Sequence, residues 1–449
     1  MGEFDVVVIG AGAPGEVIAG RLGENGVSVA IVEERLVGGE CSFYACMPSK
    51  ALLRPGELEA EARRVPGVPV CELDVQAVLA RRDEVVHDLD DASMVPWLEE
   101  RGVTLVRGHG RLAGEKRVAV GDEELVARRA VVIATGSTAT IPPVPGLADA
   151  SPWTNIEATT SKRVPPRLAI LGGGVVGVEM AQAWSSLGSR VTLVHRSDRL
   201  IEREERFAGE QVLQALREGG VDVRLGSSVT SVSRNGAVRV EVDDGQPFEA
   251  DEILVSIGRT PRTGDIGLET VGLEAGRSIA VDESLRVPGY DWLYAIGDVN
   301  GRALLTHMGK YQGRLAADAI LGKDVRLRSD GAASPRVIFT DPQVGAVGLT
   351  LAGAEQAGLR VRAVDVETSG NAGGSFIGRN APGTARLVVD EDRRVVVGST
   401  ITGAEIAEAL HAATIAVVAE VTLDDLWHAV PSFPTRSELW LRLLEAYGL

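Results

Sequence analysis

Phe4-Asp5-Val6-Val7-Val8-Ile9-Gly10-Ala11-Gly12-Ala13-Pro14-Gly15 reads as a buried strand that runs into a glycine turn and then a helix reaching about Leu22. Gly10 and Gly12 permit the tight turn and the close approach of backbone to a pyrophosphate, and Gly15 lets the helix pack on the strand. The helix N-terminus then faces the phosphates. A second strand, Val27–Val32, leads to Glu33, whose carboxylate is placed to accept hydrogen bonds from a ribose. This context separates a dinucleotide loop from a glycine-rich turn without a ligand.

The pattern returns further along the chain. Leu168–Leu171 is a strand, Gly172-Gly173-Gly174-Val175-Val176-Gly177 the loop, Val178–Leu187 the helix and Arg190–Val194 the next strand. Gly172, Gly174 and Gly177 take the cofactor-facing roles. This strand leads to His195-Arg196, with no acid. A carboxylate there favours NAD, whereas cations favour the 2′-phosphate of NADP. Arg196, helped by Arg199 or Arg203, is read as the phosphate ligand, and NADPH is preferred to NADH. The alternative is a solvated arginine cluster.

Between the two units lies Gly38-Gly39-Glu40-Cys41-Ser42-Phe43-Tyr44-Ala45-Cys46-Met47-Pro48-Ser49-Lys50. A disulfide across so short a loop gains little from loop-closure entropy, so it reads as redox chemistry rather than as a staple. The bare spacing leaves open two unrelated thiols. Two dinucleotides and a dithiol together imply electrons moving from a nicotinamide through a flavin to a disulfide.

The 449 residues allow two or three domains, and the composition, 45% hydrophobic and 24% charged, is that of a globular protein. A net charge of −17 argues against nucleic acid or an anionic membrane as partner. No apolar run is long enough to span a bilayer. Apolar sequence begins at Phe4 without a basic segment before it, so no signal peptide is expected. Three cysteines fit a reducing cytoplasm, with Cys71 read as a small buried hydrophobe. No metal site is read.

The remaining chain gives coarser expectations. Residues 75–100 read as helical and Val103–Val120 as short antiparallel strands. Arg129–Ala134 is a strand ending in Thr135-Gly136, and Ile141–Gly146 is a stiff connection. Asp251–Ile257 leads into Gly258-Arg259-Thr260-Pro261. Leu293–Ile296 leads to Gly297-Asp298, with Asp298 placed to bond a cofactor hydroxyl, and a helix follows over 303–321. Residues 336–449 read as an α+β unit with strands at 386–389 and 395–399 and helices near 404–419 and 436–446. The expected division is 1–150, 151–265, 266–330 returning to the first domain, and 331–449.

These motifs, in this order, resemble the class I pyridine nucleotide–disulfide oxidoreductases, which include lipoamide dehydrogenase, glutathione reductase and mercuric reductase. The resemblance implies an α/β chain with two Rossmann-like dinucleotide-binding domains, for FAD and NAD(P), plus a C-terminal α+β dimerisation domain. It implies a homodimer acting on a small-molecule acceptor. Cys46 is then the flavin-side thiol and Cys41 the exchange thiol. Lys50 pairs with Glu179 near the flavin, Asp298 contacts the ribityl chain, and Gly39, Ala134, Thr135, Gly136, Gly258, Arg259 and Gly297 line the cofactors.

Departures from the family pattern narrow this reading. The family's His-Pro-Thr proton shuttle corresponds here to Phe433-Pro434-Thr435, although the supporting acid, Glu438, is kept. Phenylalanine cannot transfer a proton, and losing a general acid–base costs roughly 10²–10⁴ in rate. His428 lies nearby and reads as structural or as a displaced catalyst. A Phe at this position resembles the 2-ketopropyl-coenzyme M carboxylase branch, which also replaces the Glu. Mercuric reductases typically carry a C-terminal cysteine pair, and Glu445-Ala446-Tyr447-Gly448-Leu449 has none. The expected activity is NADPH-to-dithiol electron transfer through FAD. The alternatives are reduction of a quinone, metal ion or dye at the flavin, a carboxylase-like reductive reaction, and a non-catalytic flavin redox sensor.

Overall fold

The computed structural model describes residues 2–449, and the chain divides into two compact units. The first comprises the chain up to Pro48, Arg82–Thr140 and Gly258–Gly331; the second comprises Ser49–Arg81, Ile141–Ile257 and Ala332–Leu449.

The first unit is built on a seven-stranded sheet. Its parallel part runs Val103–Arg107, Val29–Glu33, Gly2–Ile9, Glu123–Ile133, with Leu293–Ala295 parallel to the last turn-ward residues of Glu123–Ile133. Val6, Val7 and Val8 are fully buried, which is why this strand is a continuous apolar run rather than an alternating one. Ile9 lies in register with Val32 on one side and Ile133 on the other. The three strands therefore end level, and Gly10, Glu33 and Ala134 emerge at one carboxyl edge, where open α/β sheets bind ligands.

Helix Ala13–Glu24 starts with Pro14 in its first turn, where the missing N–H costs nothing. It buries Ile18, Ala19 and Leu22 against the sheet. Helix Thr306–Ile320 packs on it at Gly309 and Gly313, where Pro14 comes too near to leave room for a side chain.

The second unit holds a four-stranded parallel sheet in the order Asp222–Leu225, Arg190–His195, Arg167–Leu171, Glu252–Val255. A three-stranded antiparallel sheet, Val229–Asn235, Ala237–Val242 and Phe248–Ala250, accompanies it. Its C-terminal part is a five-stranded antiparallel sheet in the order Arg336–Ile338, Gln343–Gly348, Val395–Gly403, Thr384–Asp390, Val361–Glu367. Helix Glu438–Tyr447 lays Leu439, Leu443 and Leu444 on Leu387 and Val389 of this sheet, the spacing of an amphipathic helix.

Four expectations are corrected. Residues 75–100 form two helices, Val75–Val85 and Val95–Glu99, because His87, Asp88 and Leu89 take left-handed backbone angles that a right-handed helix cannot contain. Val103–Arg107 is a parallel strand of the first sheet, not part of an antiparallel set. The helix expected over 404–419 is confined to Leu410–Val418. Cys71 is exposed rather than buried. The sequence also hid a helix, Cys46–Arg64, which carries Pro55 in its interior.

Candidate functional site

Two dinucleotide loops, one in each unit, share a steric rule. A Cβ on Gly15 would lie 2.0 Å from the carbonyl oxygen of Gly10, and a Cβ on Gly177 would lie 1.9 Å from that of Gly172. The turn of each loop folds onto the helix at that glycine, and no side chain fits.

In the first unit the carboxylate of Glu33 is buried. Its Oε2 accepts from Ala11 N–H at 2.7 Å and its Oε1 from Arg35 N–H at 2.8 Å. Burial pushes this carboxyl up, and the two backbone donors oppose the shift. Ile9, Gly10, Glu33, Gly108, Thr135 and Arg262 help line a cavity of about 90 Å³ at the carboxyl edge. A carboxylate has lone pairs beyond these two bonds, so Glu33 retains acceptor capacity for a ribose within this cavity. On the other side of the edge, in the turn Gly297–Asn300, Asp298 Oδ2 accepts from the Ser137 hydroxyl at 2.5 Å. Burial raises the Asp298 carboxyl as well. A helix N-terminus, a buried acid over a cavity and a second acid at the far side fit an extended dinucleotide such as FAD.

The cysteine segment belongs to this unit. Gly38 bridges to Gly12, and a Cβ on Gly39 would come within 2.7 Å of Gly12 Cα. The glycines before Cys41 thus let the cysteine segment cross directly over the first glycine loop. A short helix, Gly39–Phe43, then carries Cys41, and Cys46 opens the next helix. Cys46 Sγ lies 3.3 Å from the hydroxyl of Thr306, the first residue of helix Thr306–Ile320. A hydrogen bond with Cys46, followed by burial, pushes the Cys41 thiol up; the Thr306 hydroxyl and the charge of Lys310 act in the opposite direction. Both thiols therefore meet at a helix N-terminus, whose partial positive charge favours an anionic sulfur.

Glu40 anchors the same segment. Its Oε2 is 2.5 Å from Arg259 Nη2 and its Oε1 is 2.9 Å from Arg262 Nη2. Arg259 Nε in turn donates to Ser137 Oγ at 2.7 Å, and Ser137 donates to Asp298. Arg262 reaches toward Glu34, which pairs with His109 at 2.7 Å. This line of charges, running from beside Cys41 to Asp298 and to the rim of the Glu33 cavity, was not read from the sequence, apart from Arg259 and Asp298.

In the second unit Lys50 Nζ donates to Glu179 Oε2 at 2.8 Å. Glu179 is buried, and its Oε1 accepts from Phe339 N–H at 2.9 Å. The phenyl ring of Phe339 lies 4.7 Å from the Lys50 ammonium, a cation–π arrangement. At the second loop Gly173 N–H donates to His195 Nδ1 at 3.0 Å. Gly174 opens onto free space and caps helix Val175–Ser186, leaving Val175 and Val176 exposed beside it. The free helix end and open face fit a nucleotide.

Arg196 is exposed at the strand end. Arg199 is turned to the Glu202 carbonyl at 2.6 Å. The sequence showed no acid after this strand, yet Glu202 folds back from the following loop to lie 3.0 Å from His195 Nε2. Its carboxyl is held below the usual range by the Ser197 hydroxyl first and then by the His195 and Arg196 charges.

Near the C-terminus Phe433 is 76% exposed. Glu438 is buried and pairs with Arg442 at 2.7 Å, and His428 is exposed at the end of helix Leu423–His428. Ile415, Trp427 and Val430 are exposed as well. Among the described residues no group of three or more His, Cys, Asp or Glu is placed to hold a metal ion, and no helix is long and apolar enough to cross a membrane.

Comparison with known proteins adds the following. Residues 4–313 match the family model of pyridine nucleotide-disulphide oxidoreductases, and residues 334–443 match that family's dimerisation domain. The chain is 30% identical to a mercuric reductase of Staphylococcus aureus, over 97% of this chain and 81% of that one. It is 32% identical to a dihydrolipoyl dehydrogenase of Haloferax volcanii, over 98% and 95%. It is 31% identical to a glutathione reductase of Burkholderia cepacia, over 98% of each. In fold it resembles the HOCl-induced flavoprotein disulfide reductase RclA of Escherichia coli, solved as a Cu(II) complex, with a TM-score of 0.87 at 24% identity over 99% of both chains. LpdA of Mycobacterium tuberculosis gives 0.87 at 24% identity over 100% of both.

Proposed function

The chain belongs to the pyridine nucleotide-disulphide oxidoreductases, and on that footing we propose that it carries two electrons from NADPH through FAD to the Cys41–Cys46 pair and on to a small acceptor. The family is one of oxidoreductases using FAD and a pyridine nucleotide. We further assign residues 1–150 and 266–330 to FAD, 151–265 to the nicotinamide cofactor and 331–449 to a homodimer interface, in a cytoplasmic enzyme. The exposure of Ile415, Trp427, Val430 and Phe433 in this part of the chain supports such an interface, since large apolar side chains favour burial against a partner.

The observation that carries the reading is the meeting of both thiols with Thr306 in the unit that also holds the Glu33 cavity and Asp298. FAD when bound supplies the step between a hydride donor and a dithiol. The chain's own residues do the rest. Glu33 and the first helix N-terminus hold the adenosine and pyrophosphate, Asp298 the ribityl hydroxyls. Thr306 and its helix end favour negative charge on sulfur. Lys50, fixed by Glu179, supplies a positive charge to the relay. Cys41 is the outward nucleophile, and Phe433 offers no proton to it.

That missing acid favours a second reading, in which quinones, metal ions or dyes are reduced at the flavin and the thiols stand aside. A reductase screen over small disulfides, quinones and metal ions separates the two. Under the dithiol reading Cys41→Ala abolishes turnover of the best acceptor, and full turnover in Cys41→Ala would establish the other.

The preference for NADPH is supported by the exposed, positively charged Arg196 at the strand end and opposed by the nearby Glu202 carboxylate. Arg196→Ala is expected to lower the ratio of kcat/KM for NADPH over NADH by about tenfold, the size of one lost charge-assisted contact. Equal use of both cofactors by the unaltered protein would refute the preference.

A further inference from the structure

A thiol acts as nucleophile in its anionic form, and the hydrogen bond with Cys46 and burial both hold Cys41 away from that form. The groups that oppose them sit on helix Thr306–Ile320. Thr306 touches Cys46 at 3.3 Å and hydrogen-bonds Cys41 too, so this helix face is aimed at the dithiol. Lys310 is four residues on, on the same face and about 6 Å further along the axis. Its ammonium is exposed at the end of a long stem, and its charge reaches Cys41.

The surrounding acids leave that charge standing. Glu40, next to Cys41, is spent on Arg259 and Arg262. Glu33 is spent on Ala11 and Arg35. Glu16, in the first turn of the packed helix Ala13–Glu24, feels Lys310 but is itself pushed up to about 7, chiefly by burial, so it is only half ionised near neutrality. Among the described residues Lys310 enters no ion pair. In a chain of net charge −17 with five lysines, a cation outside any ion pair whose charge reaches a dithiol is a local exception.

We propose that Lys310 is the cation of the acceptor site, favouring negative charge on Cys41 and drawing acceptors that carry negative charge next to the sulfur. This rests on Cys41 being the outward thiol, as in the function proposed above. One unit charge serves both ends: it stabilises the sulfur anion before attack, and it offsets the repulsion that an anionic acceptor would otherwise meet.

The test uses the FAD-loaded protein with its dithiol reduced by dithiothreitol and desalted anaerobically, so that it does not depend on NADPH. Iodoacetamide, which is neutral, and iodoacetate, which is anionic, each alkylate a thiolate with loss of iodide, and peptide mass spectrometry assigns the rate at each cysteine across pH 5–10. The exposed Cys71 serves as internal control. Lys310→Met is expected to lower the iodoacetate-to-iodoacetamide rate ratio at Cys41 by about three- to tenfold, the effect of removing one nearby charge in a largely aqueous dielectric. The apparent thiol pKa of Cys41 should rise as well, Lys310→Arg should restore both, and added salt should shrink the difference. Cys71 should not change. An unchanged ratio and pKa at a reactive Cys41 in Lys310→Met would overturn the role of Lys310 and leave the relay intact. A Cys41 that resists both reagents while Cys46 reacts would overturn the outward assignment, and the proposal with it.

Discussion

Replacing Glu16 by Gln should make the protein more stable above neutral pH and change nothing in acid. Burial raises the Glu16 carboxyl from 4.5 to about 7; Lys310 pulls against the shift, and the Glu33 charge adds to it. Below pH 4.5 the group is protonated in folded and unfolded chains alike, so wild type and Glu16→Gln respond equally to pH. Between 4.5 and 7 the unfolded chain ionises while the folded one holds its proton, and wild-type stability falls. Above 7 the loss is complete and constant. The span corresponds to roughly 3 kcal/mol at full weight. Partial exposure of the side chain trims this to about 1–2 kcal/mol. Urea denaturation in excess FAD, run at half-unit steps from pH 4.5 to 9, gives the difference once the FAD Kd of each protein is measured and its linkage contribution subtracted. A Glu16→Gln advantage that is flat with pH, or that shrinks above pH 7, would refute the buried-acid reasoning. Lys310→Met should steepen the wild-type loss, since it removes the opposing charge.

Other consequences are expected. Lys50→Met should cost about 2–4 kcal/mol in denaturant unfolding, because it strands the buried Glu179 carboxylate; Glu179→Gln should cost less, since it keeps the acceptor for Phe339 N–H. Gly15→Ala should yield protein with little bound flavin by absorbance, whereas Gly177→Ala should keep its flavin and lose the nicotinamide cofactor, following the 2.0 and 1.9 Å clashes. Glu40→Ala should release Arg259 and Arg262 and destabilise by about 1.5–3 kcal/mol, with weaker FAD retention in dialysis; retention equal to wild type would mean the charge line does not support the cofactor edge.

Features carried by contiguous residues were legible in the sequence. Strand, loop and helix follow one another within Phe4–Leu22 and again within Leu168–Leu187, so local pattern alone located both dinucleotide units. The spacing of Cys41 and Cys46 was visible, but not their relation to Thr306, which lies 260 residues beyond Cys46. The contacts of Glu40 with Arg259 and Arg262, the return of Glu202 to His195 and the position of Lys310 depend on loops and helices meeting in three dimensions, which no spacing rule encodes. The Lys50–Glu179 pairing was expected from family resemblance, not from the residues themselves. The break at His87–Leu89 was hidden because three ordinary residues adopt left-handed angles there without a glycine to mark it. Val103–Arg107 looked antiparallel because Gly108 and Gly110 follow it closely, yet pairing with Val29–Glu33 decides its direction.

In the proposed relay, electrons reach the acceptor through Cys41 and Cys46. Anaerobic titration of the FAD-loaded protein with NADPH, followed by absorbance, tests it most directly. A long-wavelength charge-transfer band should appear at two electrons per FAD, absent in Cys46→Ser and preserved in Cys71→Ser. A wild-type titration that passes straight to reduced flavin, with no such band, would contradict it.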